Sequence, residues 1–272
     1  MLHCRAFAIT DVGSIRRENQ DVVMVACAGD RALAPEDAPV SLSGEAILCG
    51  VADGMGGMPD GDVASSLVGQ AFAQCAQEGS VGEGGLARRL QRLFSLAHRS
   101  IVEANSGRSA HLRMGSTLTV AFLDSRRAWI GNVGDSRCYL LRGGELRCLT
   151  TDQSVANLLL RLGHLTREEA EVHPERKVLA QALGHGTRLD IDQIELELRA
   201  GDLLLLCSDG LSDLVSDPEV LGAWARAAGD LPSCGRELVA LAKQHGGFDN
   251  ISVVLLAIDA LGSLEGSSSA VG

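Results

Sequence analysis

Four aspartates of this 272-residue chain each follow a short apolar run or adjoin a glycine or asparagine. They are Asp21 in Asn19-Gln20-Asp21, Asp53 in Val51-Ala52-Asp53-Gly54, Asp209 in Cys207-Ser208-Asp209-Gly210, and Asp249 in Phe248-Asp249-Asn250. Three stand where an apolar strand gives way to a turn, a place from which a scaffold aims a carboxylate into a shared cleft. Carboxylates gathered in one place repel one another unless cations stand between them. Hard divalent metals are the cations that oxygen ligands suit. Gly54 lets the backbone approach closely, so its carbonyl can reach a cation beside Asp53. Arg16 precedes Asp21 in Gly13-Ser14-Ile15-Arg16-Arg17-Glu18-Asn19. A guanidinium near such a cluster can grip phosphate through two N–H groups, although alone it reads as a solvated surface charge. Asp209 and Asp213 face the same way if they lie on a helical turn, and each alone serves equally well as a helix cap. Asp135 in Gly134-Asp135-Ser136 reads, alone, as a turn residue.

Strands must carry these carboxylates. Residues 5–10 alternate, Asp21 to Cys27 is β-branched, and Ala46 to Val51 is an apolar run ending at Asp53. Two helical patterns follow, one through Val63, Leu67, Ala71 and Cys75 and one through Leu86, Leu90, Phe94 and Ile101, which predicts a helix pair covering a sheet. Residues 116–149 hold four short strands and are expected to form one antiparallel meander with a Gly143-Gly144 hairpin. Residues 155–171 are helical, broken near Gly163, with a capping pattern from Thr166 to Glu169. Residues 191–198 and 203–207 are strands. A helix capped by Asp217 with Pro218 behind it, another opened by Ser233, and a last strand over 251–258 complete the order. Residues 29–44 read as a surface loop. The expected fold class is α+β: a four-layer α/β/β/α sandwich of two central, mainly antiparallel sheets flanked by helix pairs.

Composition narrows the function. The net charge is −11 with no Lys/Arg cluster, which argues against nucleic acid as a partner. No apolar stretch approaches the ~18 residues of a membrane span. The eight cysteines form no C-x-x-C pair, so they read as buried thiols of a reducing compartment rather than a zinc site. Met1-Leu2-His3-Cys4-Arg5 lacks a charged-then-apolar leader, and a cytoplasmic location is expected. Gly54-Met55-Gly56-Gly57-Met58-Pro59 follows a strand, but Pro59 replaces the third glycine of a dinucleotide fingerprint and no G-K-[ST] follows. No G-x-S-x-G is present.

In order along the chain, these motifs resemble the metal-dependent protein phosphatases of the PPM (type 2C) family, in their compact bacterial form. The resemblance runs from about Arg5 to Ile258. It rests on Asp11-Val12-Gly13-x-x-Arg16-x-x-Asn19-Gln20-Asp21, Val51-Ala52-Asp53-Gly54-Met55-Gly56-Gly57, Gly115-Ser116-Thr117, and Gly131-Asn132-Val133-Gly134-Asp135-Ser136-Arg137. It continues with Leu149-Thr150-Thr151-Asp152-Gln153-Ser154, Ser208-Asp209-Gly210 and Asp249-Asn250-Ile251-Ser252.

The resemblance implies a single catalytic domain over residues 1–260, and the Ser/Gly-rich composition of the tail over 261–272 predicts disorder. It implies a protein serine/threonine phosphatase that hydrolyses phosphoserine and phosphothreonine through a metal-activated water at a binuclear Mn²⁺ or Mg²⁺ centre. In these roles Asp53 bridges the two ions with the Gly54 carbonyl on one, Asp209 and Asp249 hold the other, Asp21 acts close by, and Arg16 binds the substrate phosphate. Asp135, Asp209 and Asp213 match a weaker third-metal site, and residues 158–183 look like a flap beside the cleft. The implied partners are phosphoproteins and a cognate Ser/Thr kinase, and a monomer is expected. The competing reading is a catalytically weak pseudophosphatase that binds or senses phosphoproteins. Two departures stand out. Met55 replaces the histidine of many eukaryotic relatives, and Ala180-Gln181-Ala182-Leu183-Gly184 replaces the flap's usual Thr-Arg-Ala-Leu-Gly.

Overall fold

The computed structural model describes residues 1–30, 38–55, 60–79, 85–186 and 188–261. The expected disordered tail falls, apart from Leu261, outside the described residues, as do the glycine-rich stretch 56–59 and residues 31–37 of the expected loop.

Strands β1 (Leu2–Asp11), β2 (Asp21–Cys27), β3 (Val40–Gly44) and β4 (Ile47–Asp53) come first, followed by helices α1 (Gly61–Ala76) and α2 (Gly85–Ala104). Strands β5 (Leu118–Leu123), β6 (Arg127–Val133), β7 (Arg137–Arg142) and β8 (Glu145–Cys148) precede the short helices α3 (Val155–Arg161) and α4 (Arg167–Glu171). The chain closes with β9 (Asp192–Glu197), β10 (Leu203–Cys207), α5 (Asp209–Ser212), α6 (Asp217–Ala227), α7 (Leu231–Gln244) and β11 (Ile251–Leu261). One sheet runs β3-β1-β11-β10-β7-β8 and the other β2-β4-β5-β6-β9. Every strand pair is antiparallel.

The central strands are apolar on both faces because both faces are covered. In β10, Leu204 and Leu206 join the core between the sheets, while Leu203, Leu205 and Cys207 face the layer of α6 and α7. In β4, Ile47, Cys49 and Val51 enter the inter-sheet core, and Leu48 and Ala52 join the cluster with Val68, Phe72, Leu90 and Phe94 of α1 and α2. The period-2 alternation of a strand thus divides one hydrophobic run between two cores. Layers of helix, sheet, sheet and helix result, as expected.

Four local expectations need correction. The four strands over 116–149 are not one meander: β5 and β6 pair in one sheet and β7 and β8 in the other, so the chain changes sheets at Gly134-Asp135-Ser136. Residues 29–44 are not all loop, since β3 pairs with the edge of β1. The cap of α6 is Ser216, which forms a capping box with Glu219, and Asp217 is already helical. The cap of α7 is Asp230, whose carboxylate accepts from the Ser233 amide at 2.9 Å, so that helix opens earlier than Ser233. Among the described residues, no helix is long and apolar enough to cross a membrane.

Phe122 of β5 and Phe72 of α1 meet edge to face with ring centroids 6.3 Å apart, and both are fully buried. Deleting one ring leaves a cavity that rigid neighbours do not refill. Phe122→Ala is therefore expected to cost about 3–5 kcal/mol of folding free energy, read as a lower urea midpoint. A cost below about 1 kcal/mol would mean that α1 is not packed on this sheet as described.

Candidate functional site

Antiparallel pairing brings one end of each sheet together. In the β2–β4 ladder Asp21 is the direct partner of Asp53. In the other sheet β10 ends at Cys207, opposite Val253 of β11 and Arg137 of β7. Ser208-Asp209, Asp249-Asn250 and Asp135-Ser136 are the residues just outside those strand ends, so five aspartates collect at the same rim.

Small polar side chains lock the two sheets together there. The Ser208 hydroxyl donates to Asp21 Oδ2 at 2.8 Å, joining the end of β10 to the start of β2. Asn250 accepts from the Gln20 amide at 2.9 Å and donates to the carbonyls of Val12 and Glu18 at 3.0 and 2.9 Å. One side chain thereby fixes the loop that carries Arg16 against the loop that carries Asp249. Thr117 receives the Asp53 amide on its hydroxyl at 3.0 Å, and its own amide donates to the Asp53 carbonyl at 2.8 Å. The Ser116 hydroxyl donates to the same carbonyl at 2.9 Å. The Asp53 backbone is thus fixed while its carboxylate takes no part in these bonds. Gly54 is forced by close approach: a Cβ there would overlap the Gly61 carbonyl and come within 2.8 Å of the Gln20 carbonyl. Gly13, at φ +79°, passes so near the Asp249 carbonyl that a side chain would collide with it.

The electrostatics show how close the carboxylates stand. Burial, then the charges of Asp21, Asp209, Asp135 and Asp249, raise the Asp53 carboxyl well above its ordinary range. Burial and the charges of Asp135, Asp213, Asp249 and Asp21 push Asp209 up to about 8. Burial, with Asp152 and Asp213 adding to it, raises Asp135 to about 7. Burial raises Asp21 to about 6, against hydrogen bonds that favour its charged form. Asp21 Oδ1 and Asp209 Oδ1 are buried with no hydrogen-bond partner. A buried carboxylate oxygen without a donor is costly, and a cation is the partner that would satisfy both oxygens and relieve the repulsion. By this test the residues fit a divalent metal.

Two of the acids have turned to protein cations. Arg16 Nη2 donates to Asp249 Oδ2 at 2.6 Å, and the ammonium of Lys177 pairs with Asp213. Among the described residues, no three acidic, histidine or cysteine side chains form a closed cage around one point. Asp21, Asp53, Gly54, Asp135, Asp209 and Asp249 are brought together, and Arg16 and Asp213 stand at the exposed rim. Ser208, Asn250 and Thr117 stand out in the sequence only as parts of motifs. Their signal was a short polar residue directly flanking a candidate carboxylate or a strand end. Lys177 had no such signal.

Comparison with known proteins agrees with this geometry. The sequence profile of the protein phosphatase 2C family matches residues 34–241. The serine/threonine protein phosphatase PstP of Mycobacterium tuberculosis is 37% identical over 235 residues, 86% of this chain and 45% of PstP. The chain therefore spans less than half the length of that relative. The protein phosphatase PhpP of Streptococcus pneumoniae is 33% identical over 257 residues, 92% of this chain and 96% of PhpP. The crystal structure of the PstP catalytic domain in complex with two manganese ions superposes with a TM-score of 0.76 at 34% identity, covering 95% of this chain and all of that one.

Repulsion in the acidic rim makes stability depend on pH. In the unfolded chain Asp209 titrates near 4, and in the folded protein near 8. Between these values the folded state holds a proton that the unfolded state has released, so stability falls as pH rises through the window. In EDTA the protein is expected to melt at a higher temperature at pH 5 than at pH 8, and Asp209→Asn is expected to narrow that gap by raising the pH 8 value. An unchanged gap in thermal melts would place Asp209 outside the repelling cluster.

Proposed function

The chain belongs to the protein phosphatase 2C family, and from that premise we propose that it is a metal-dependent protein serine/threonine phosphatase whose catalytic unit is residues 1–260. The observation that carries this reading is the ladder pairing of Asp21 with half-buried Asp53, on which four aspartate charges converge. Asp53, Asp209 and Asp249, with Asp21 close by and the Gly54 carbonyl, would hold two Mn²⁺ or Mg²⁺ ions. Asp135 and Asp213, with Asp209, would hold a third more weakly. When bound, such ions supply Lewis acidity that brings a water's pKa toward ~7 and offsets the charge of a phosphate monoester.

The chain's own residues do the rest. Arg16 is anchored to Asp249 through Nη2, and its remaining N–H groups are free to bind phosphate oxygens. Thr117, Ser116 and Gly54 hold the Asp53 backbone rigid, so little reorganisation is needed as charge develops on the phosphoryl group. Cys207, next to Ser208, is buried, and burial pushes its thiol up to about 12, so it keeps its proton. Met55, beside Gly54, has no proton to give a leaving serine or threonine oxygen. The proteins dephosphorylated would be those of a cognate Ser/Thr kinase. The described residues contain no disulfide, and seven of the eight free thiols are buried, which suits a reducing cytoplasm.

Dephosphorylation of a phosphothreonine peptide, with EDTA as control, tests the reading. Mn²⁺-dependent release of phosphate is expected, and turnover that survives chelation would overturn the metal role. Asp53→Asn and Asp209→Asn are each expected to lose at least about 10³ in kcat on p-nitrophenyl phosphate with an unchanged circular dichroism spectrum. Full activity in either variant would remove that residue from the centre. Arg16→Ala is expected to lower kcat/KM about 10- to 100-fold, and an unaltered value would exclude it from phosphate binding.

A further inference from the structure

Two large apolar side chains stand in water at the rim of the acidic cleft. Ile15 is 65% exposed and directly precedes Arg16, and Phe248 is 60% exposed and directly precedes Asp249. None of the other exposed large apolar side chains among the described residues adjoins a candidate site residue in sequence. The two belong to loops that run side by side: the Ser14 amide donates to the Gly247 carbonyl at 2.8 Å, and Arg16 reaches Asp249 at 2.6 Å. The Phe248 ring lies against Gly246, at φ +122°, where any Cβ would overlap the ring carbons. A ring seated on its own backbone has little freedom left to lose on binding, and that lowers the entropic cost of using it as a contact.

We propose that Ile15 and Phe248 form an apolar shelf that selects phosphoprotein substrates carrying an apolar side chain next to the phosphorylated residue. This inference rests on the phosphatase reading above and names the sequence context that reading leaves open. An extended peptide whose phosphate is held at Arg16 lays its adjacent residues across these two neighbouring loops. Those loops present Ile15 and Phe248. A neighbouring leucine or phenylalanine buries apolar surface there, while a serine does not. The shelf acts on peptide binding and leaves the reacting atoms alone.

The test uses the purified full chain with Mn²⁺ and two phosphothreonine peptides that differ only in having leucine or serine on both sides of the phosphothreonine. p-Nitrophenyl phosphate, which has no neighbouring residue, reports the metal centre alone. The wild type is expected to prefer the leucine peptide by about tenfold in kcat/KM, the scale of partial burial of one side chain. Ile15→Ser and Phe248→Ser should each bring the ratio below about threefold while p-nitrophenyl phosphate turnover stays within twofold. If Phe248→Ser also disturbs Asp249, p-nitrophenyl phosphate turnover falls, and Ile15→Ser then decides. Equal rates on the two peptides, or a preference that persists in Ile15→Ser, would overturn the shelf. Fluorescently labelled forms of both peptides, titrated with the Asp209→Asn chain, repeat the comparison without turnover, with tighter binding of the leucine peptide expected and equal affinities contradicting it. A wild type inactive on p-nitrophenyl phosphate would sink the phosphatase reading, while these titrations still judge the shelf.

Discussion

Asp53 sits half-buried at the end of β4, with four other carboxylates bearing on it. Few arrangements are less favourable in a protein interior, because each group raises the cost of ionising the next. The fold maintains it by fixing backbone rather than by pairing charge. Asp53 is held by Thr117 and Ser116, Asp21 by Ser208 and by its ladder position opposite Asp53, and the Asp249 loop by Asn250. Arg16 and Lys177 neutralise only the outer members, Asp249 and Asp213. The strain of like charges is thus stored at one place and offset by the packing of three hydrophobic cores elsewhere.

Two stacked antiparallel sheets suit this task. Strand ends from both sheets emerge on the same side, so short loops deliver acids from distant stretches of chain to one cleft. The strands behind them are leucine- and valine-rich on both faces, which anchors the loops in rigid layers. Rigid anchoring matters because electrostatic stabilisation is strongest when dipoles and charges need not move as the reaction proceeds. The crossing from β6 to β7 at Gly134-Asp135-Ser136 adds a further acid to the rim and ties the sheets through the 2.9 Å contact of the Thr117 and Ser136 hydroxyls.

Much of this was legible in the residues. The run Leu203 to Cys207, apolar at every position and short, reads as a strand. The helical spacing of residues 63–75 and 86–102 placed α1 and α2. The aspartates were legible because each stands at the edge of an apolar segment or beside a glycine or asparagine. Other features depend on tertiary choices that no local pattern encodes. The direct opposition of Asp21 and Asp53 is a matter of register between strands far apart in sequence. The assignment of β6 and β7 to different sheets was hidden because a two- or three-residue link serves a hairpin and a sheet crossing equally well. β3 was missed because Leu42 is its only buried residue, too weak a pattern to read. Lys177 reaches Asp213 across thirty-six residues, and nothing near either marks the pair.

The central claim is that this crowding of acids exists to hold divalent cations. Calorimetric titration of the chelator-treated chain with Mn²⁺ measures it most directly. The account predicts at least two bound ions per chain, with occupancy lost when Asp53 is replaced by asparagine. A chain that binds no Mn²⁺, or an Asp53→Asn variant that binds it as the wild type does, would contradict it.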